Sequence, residues 1–271
     1  MWTLADVIAL VKYPVWTAWR FVVNFPLAMR NTYIILSVFA RTIVVGSRAA
    51  KVLRSKRGTW SDKTRGRYIW TVAKHSWARW VLDRVEARMD VVGLDRVDWT
   101  KPHVVVSNHQ STLDIFPLIA YIPSGRFVCK KEVLAFPFVG PACRDGAQII
   151  IDRADHEQSM HAIRVGVQAW PTCNLIFFAE GTRTLDGRLK PFKKGAFAIA
   201  NEMKLPIVPV AITGTYDALP KGSLLRLRKR PRFRVEFGHE IPCGGEVPDL
   251  TERTREVIVE MIEQRGERAA A

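Results

Sequence analysis

Residues 103–121 read HVVVSNHQSTLDIFPLIAY: a short apolar run, a polar stretch of seven, then an apolar helix-length segment. An all-apolar run of strand length, bounded by polar residues and followed by a helical pattern, is the signature of a strand buried on both faces. The same order returns down the chain. Gln148–Ile151 precedes a helical pattern over His156–Trp170, Leu175–Phe178 precedes one over Ala196–Met203, and Ile207–Thr213 is a further apolar run. Strand and helix in alternation predict an α/β fold, a mostly parallel sheet flanked by helices. Upstream, a helix is expected over Tyr68–Arg88. Downstream, Arg232–Phe237 alternates and predicts a half-exposed strand, and Asp249–Gln264 predicts a last helix opened by Asp249 and Glu252.

Ligands of open α/β sheets sit at the carboxyl ends of the strands, so the polar residues after each apolar run are the candidate site. After His103–Ser107 comes Asn108-His109-Gln110-Ser111-Thr112-Leu113-Asp114. A carboxylate five positions beyond a histidine can hold the imidazole in one tautomer while the other ring nitrogen faces substrate. Ser111-x-x-Asp114 also fits a capping box, in which Asp114 serves only the helix end. After Leu175–Phe178 comes Ala179-Glu180-Gly181-Thr182-Arg183, whose glycine, hydroxyl and guanidinium suit a phosphate. Glu180 is placed to steady Arg183 or the loop. Asp152-Arg153 follows Ile149–Ile151 and Lys130-Lys131 follows Phe127–Cys129, so Lys130, Lys131, Arg153 and Arg183 are expected at one sheet edge. Cations converging on a histidine base describe a pocket for a phosphorylated alcohol.

The chain of 271 residues carries 41 Lys and Arg against 26 Asp and Glu, a net charge of +15 that attracts anionic surfaces. Zinc-finger spacing, RNP aromatics and a basic-zipper pattern are missing, so nucleic acid is not an expected partner. Cys129, Cys143, Cys173 and Cys243 show no C-x-x-C pair and are expected to be reduced core thiols on the cytosolic side, with no metal site.

Trp2–Val23 and Asn31–Val45 are apolar runs separated by Asn24-Phe25-Pro26, which predicts two helices with a break, a membrane-associated hairpin. Trp2, Tyr13, Trp16 and Trp19 among Lys12 and Arg20 suit the headgroup level rather than a simple span. No basic residue precedes the apolar run, so cleavage as a signal peptide is not expected. Arg48, Lys51, Arg54, Lys56, Arg57, Lys63, Arg65 and Arg67 then form a basic stretch suited to an anionic leaflet. The expected organisation is a membrane-binding motif at 1–47, a basic connection at 48–67 and an α/β domain at 68–271.

Taken in order, the clusters resemble the motifs of the glycerolipid acyltransferases, and specifically of the lysophosphatidic acid acyltransferases, from about His103 to Thr213. Asn108 to Asp114 matches N-H-x-S-x-x-D, Gly146 to Arg153 resembles G-x-x-x-I-D-R, Phe178 to Arg183 resembles F-P-E-G-T-R, and Ile207 to Ala211 resembles the V-P-V block. Lys193-Lys194-Gly195 fits as well. Ala179 replaces the usual proline and Cys129 a common small residue, neither being a position for chemistry. The resemblance implies His109 as general base and Asp114 as its orienter. It implies Arg153, Arg183 and Lys130 on the acceptor phosphate, a weaker candidate in Lys193, and Glu180, Gly181 and Thr182 shaping the pocket. Acyl-coenzyme A or acyl carrier protein is then the donor, the lysophospholipid lysophosphatidic acid the acceptor, and no cofactor is required; the alternatives are glycerol-3-phosphate or a lyso-aminolipid as acceptor, or a non-catalytic protein that binds anionic lipid. The expected location is the cytoplasmic face of the inner membrane.

Overall fold

The structure is a computed structural model and describes residues 14–135, 139–145, 148–152, 154–169, 172–223 and 226–264. In chain order the helices are α1 (Pro14–Ser55), α2 (Asp62–Val72), α3 (Arg79–Arg84), α4 (Ile115–Tyr121), α5 (Val139–Asp145), α6 (His156–Ala169), α7 (Gly195–Met203), α8 (Thr215–Ala218) and α9 (Val247–Glu263). The strands are β1 (Arg88–Val92), β2 (Val104–Ser107), β3 (Gly125–Lys130), β4 (Ile149–Ile151), β5 (Asn174–Phe178), β6 (Ile207–Thr213) and β7 (Arg232–Phe237).

These strands form one sheet in the order β1-β7-β6-β2-β5-β3-β4. Every pair is parallel except β6 with β7. The apolar runs are central, as strands covered on both faces must be. Along β2, Val105 joins the core under α3 and α4, while Val104 and Val106 join the core under α6, α7 and α9. On β6, Val208, Val210 and Ile212 face the first core and Ile207 and Ala211 the second. The side-chain period of two thus supplies both cores from one strand.

Several expectations shift. The break at Asn24-Phe25-Pro26 does not occur, because α1 runs unbroken from Pro14 to Ser55. A proline removes one helical hydrogen bond without itself reversing the chain. Residues before Pro14, the start of the expected first helix, lie outside the described residues. The helix expected over Tyr68–Arg88 starts at Asp62, capped by the Ser61 side chain, and passes through a π-helical turn at Ala73–Ala78. It stops at Arg84, and Arg88–Val92 is strand β1, paired in parallel with β7. The last helix opens at Val247 with proline in its first turn; Asp249 and Glu252 do not cap it. Of the cysteines, Cys173 alone is buried and the other three are half-buried.

α1 lies against the domain through Ile34, Ala49 and Leu53. The π turn is where it docks: Arg41 Nε donates to Ser76 O at 2.9 Å and Trp77 Nε1 donates to Thr42 Oγ1 at 2.9 Å. Residues 29, 33, 36 and 44, at helical spacing on the opposite side, expose Met29, Tyr33, Leu36 and Val44.

Candidate active site

β2 ends at Ser107, and the first residue beyond it is fixed to the neighbouring strand. Buried Asn108 donates from Nδ2 to Ile212 O and accepts at Oδ1 from Ile212 N, each at 2.8 Å. The next residue is tied on the other side, His109 N donating to Glu180 Oε1 at 2.6 Å and His109 O accepting from Thr184 N at 3.0 Å. Backbone held from two neighbouring strands leaves the imidazole little choice of direction.

That ring stacks on Phe178, with centroids 3.9 Å apart and planes at 13°, and its Nδ1 lies 2.9 Å from Asp114 Oδ2. The His109 side chain is 15% exposed and Asp114 is fully buried. Oδ2 of Asp114 also accepts from Gln110 N at 2.7 Å and Ser111 N at 2.8 Å, and Oδ1 accepts from Thr215 Oγ1 at 2.5 Å. Nδ1 therefore meets an acceptor and carries the hydrogen, which leaves Nε2 with its lone pair. Asp114 and Ser111 also complete a capping box at the turn Thr112–Asp114. The two readings of Asp114 are one: the carboxylate that caps the helix also orients the histidine.

The turn after β5 needs Gly181, which has φ +73°, a region that favours glycine. Glu180, 3% exposed, spans two backbone amides, accepting from His109 N and from Lys190 N at 3.0 Å. Burial pushes its carboxyl up to about 7, against the lowering effect of those two hydrogen bonds and with a smaller push from Asp114. Of the two roles the sequence offers Glu180, steadying Arg183 or the loop, the second is the one seen, through the backbone amides of His109 and Lys190. Arg183 Nη1 donates to Thr112 Oγ1 at 2.5 Å, and its carbonyl accepts from Lys190 Nζ at 3.2 Å.

A cavity of about 1060 Å³ runs from these residues into the apolar core between α1, α2 and β3. That is the top of the roughly 300–1,000 Å³ range of small-molecule sites. His109 stands in its wall, and so do the cations Lys130, Arg183, Lys193, Lys194 and Lys221. The apolar side chains of Trp70, Ile115, Ile119, Phe127, Val139 and Ile163 line the same cavity. Lys131 turns away, its Nζ 2.5 Å from Asp152 Oδ2. Arg153 lies outside the described residues.

Thr215 and Lys221 lie outside the motifs, and Asn108 and Phe178 stand in them without an assigned role. Thr215 and Phe178 follow or end apolar strands, so the rule that pointed to His109 also pointed near them. Lys221, whose Nζ lies 3.4 Å from Thr182 Oγ1, arrives through a long connection and carries no local signal.

A family model described as Acyltransferase matches residues 88–213, which include the His109 turn and the Glu180–Arg183 turn. The chloroplastic 1-acyl-sn-glycerol-3-phosphate acyltransferase BAT2 of Brassica napus is 36% identical over 138 residues, 50% of this chain and 40% of that one. The 1-acyl-sn-glycerol-3-phosphate acyltransferase alpha of Bos taurus is 32% identical over 185 residues, 65% of this chain and 63% of that one. The chain thus spans under two thirds of the length of either relative. In fold it is similar to the crystal structure of the 1-acyl-sn-glycerophosphate (LPA) acyltransferase PlsC from Thermotoga maritima, with a TM-score of 0.73 at 22% identity, over 93% of this chain and 100% of that one. By the matched residues and the relatives that share them, this chain belongs to the acyltransferase family.

Proposed function

We propose that this protein transfers a fatty-acyl chain from a thioester donor to the free hydroxyl of lysophosphatidic acid, giving phosphatidic acid, with His109 as general base. One observation carries the reading: a histidine with Nδ1 committed to a buried carboxylate stands in the wall of a cavity lined both by cations and by apolar side chains. An acyl chain matches the apolar part and a phosphate monoester matches the cations. The names of the relatives support this acceptor.

In the reaction, Nε2 takes the proton of the acceptor hydroxyl as its oxygen attacks the thioester carbonyl. The tetrahedral intermediate collapses with cleavage of the carbon–sulfur bond, and the imidazolium returns the proton to the departing thiolate. An ester and a free thiol result. Asp114 orients the ring and offsets its transient charge. Arg183 and Lys130 hold the acceptor phosphate, with Lys193 beside them and Arg153 assigned there on sequence grounds. Glu180, Gly181 and Thr182 set the shape of the turn. The donor is acyl-coenzyme A or acyl carrier protein, and the thioester supplies its own leaving group, so no cofactor takes part. Glycerol-3-phosphate offers the same phosphate without a chain for the apolar part of the cavity, and ranks second.

The membrane is the proposed partner and its cytoplasmic face the location, since a net charge of +15 and an α1 with one apolar side exposed suit an anionic leaflet. The stretch Leu27–Ser55 has the length and apolar composition to cross a bilayer. We place it in the interface instead, because Thr42, Val45, Gly46 and Ala49 line the same cavity as His109.

Roles separate by kinetics. Arg183→Ala raises the KM for lysophosphatidic acid by roughly 10- to 100-fold, the worth of a charge-assisted hydrogen bond. His109→Ala lowers kcat by about 10²–10⁴-fold with acceptor binding retained. Equal binding defects in the two variants would refute this division.

A further inference from the structure

The sheet edge that carries His109 also carries a row of cations outside the cavity. Because β7 runs antiparallel to β6, the connection from Thr213 to Arg232 hangs off the same sheet edge as His109. It begins at the cavity, where Lys221 lines the rim. Beyond it Arg226, Arg228, Lys229, Arg230 and Arg232 are all exposed. Among the described residues only Arg230 of these five makes an ion pair, with Glu86 at 3.1 Å. The segment is docked. Leu227 is 4% exposed in the core that holds Ala218, Arg228 N donates to Ala218 O at 2.9 Å, and Pro231 O accepts from Arg88 N at 2.8 Å. Its cations are therefore presented in place rather than on a free tail.

The second observation is its neighbour. At the corner where α3 leads into β1, the Arg84 guanidinium lies over the ring of Tyr33, 4.4 Å from its centroid, and Arg84 Nε donates to Ser37 Oγ at 2.9 Å. Two residues on, Glu86 pairs with Arg230, and exposed Arg88 is bonded to Pro231. The exposed apolar side of α1, with Met29, Tyr33, Leu36 and Phe39 each more than half exposed, thus meets the cationic segment at one corner. α1 and Lys221 both line the cavity.

We propose that the segment Arg226–Arg232 is a second, electrostatic membrane contact that binds anionic phospholipid headgroups while the apolar side of α1 enters the interface. The inference rests on the membrane-surface reading above. A soluble polyanion would use the cations but leave the adjoining apolar stripe in water; an anionic bilayer uses both. Because α1 and Lys221 both line the cavity, binding through the two contacts brings the cavity to the leaflet that holds the acceptor.

The test is sedimentation of the full chain with vesicles of phosphatidylcholine alone and of equimolar phosphatidylcholine and phosphatidylglycerol. It compares wild type with the triple variant Arg226→Ser, Arg228→Ser, Lys229→Ser. All three side chains are exposed, and an unchanged melting curve verifies the fold. Each cation near an anionic leaflet is worth about fivefold in partitioning, so the variant loses more than tenfold on the anionic vesicles. High salt narrows that gap. On phosphatidylcholine alone, and in acyl transfer in neutral detergent micelles, the variant equals wild type. Equal binding of both proteins to anionic vesicles overturns the inference. So does a raised KM for the acyl donor in micelles with vesicle binding intact, which would assign the segment to the donor's anionic groups. Wild type that sediments with neither vesicle refutes the membrane-surface reading itself.

Discussion

Four donors meet on Asp114: two backbone amides, the Thr215 hydroxyl and Nδ1 of His109. A carboxylate so surrounded cannot turn, and the imidazole it faces is fixed with it. The H-x-x-x-x-D spacing made this pair legible, since a turn between a strand and a helix is short enough to be read locally. Thr215 and Phe178 were not legible, because the first is 101 positions from Asp114 and the second reaches His109 only through strand pairing. Glu180 gives a measurable consequence at this scale. Its folded value of about 7 lies above its ordinary 4.5, so its contribution to stability is fully present below about pH 4.5 and is lost as pH rises through about 7. Glu180→Gln removes that dependence while leaving one of the two amides facing an amide donor. In thermal melts the advantage of wild type over Glu180→Gln is expected to shrink between pH 5 and pH 8. A difference that holds constant across this range would show that Glu180 does not titrate there.

Among the elements, the central strands were readable because burial on both faces demands unbroken apolar runs, and β2, β5 and β6 are such runs. β1 was not. Arg88-Met89-Asp90-Val91-Val92 is a half-buried edge strand, defined by its pairing with β7, and its sequence continues the helical pattern before it. The unbroken course of α1 through Pro26 was missed for the opposite reason. A strong local signal was outweighed by the long apolar runs on either side. β3 has a requirement that its sequence does not advertise. A Cβ on Gly125 would stand 2.6 Å from Ile176 Cδ1 and 2.9 Å from Trp70 Cη2, so the first residue of the strand must be bare for the core to close around Trp70. Gly125→Ala is expected to cost about 1–3 kcal/mol, the range for overpacking a filled core. Chemical denaturation measures it, and a variant as stable as wild type would mean that Trp70 and Ile176 have room to shift.

Across the whole molecule, the fold gathers His109, several cations and many apolar side chains in the wall of one cavity, and leaves one apolar side of α1 and the cations of Arg226–Arg232 exposed. The sequence revealed the ingredients as separate clusters, in order along the chain. Their convergence belongs to the parallel topology, which brings the ends of β2, β3, β5 and β6 to one edge. The cavity depth and the part α1 takes in its wall are properties of packing alone, with no counterpart in residue spacing. The proposed reaction is tested by acyl transfer from long-chain acyl-coenzyme A, and from acyl carrier protein, to lysophosphatidic acid in detergent micelles. Free thiol and phosphatidic acid are followed together for wild type and His109→Ala. With His109 as general base, wild type gives equal amounts of both products and a folded His109→Ala loses about 10²–10⁴-fold. Undiminished product from that variant, or no phosphatidic acid from wild type with either donor, would contradict this mechanism.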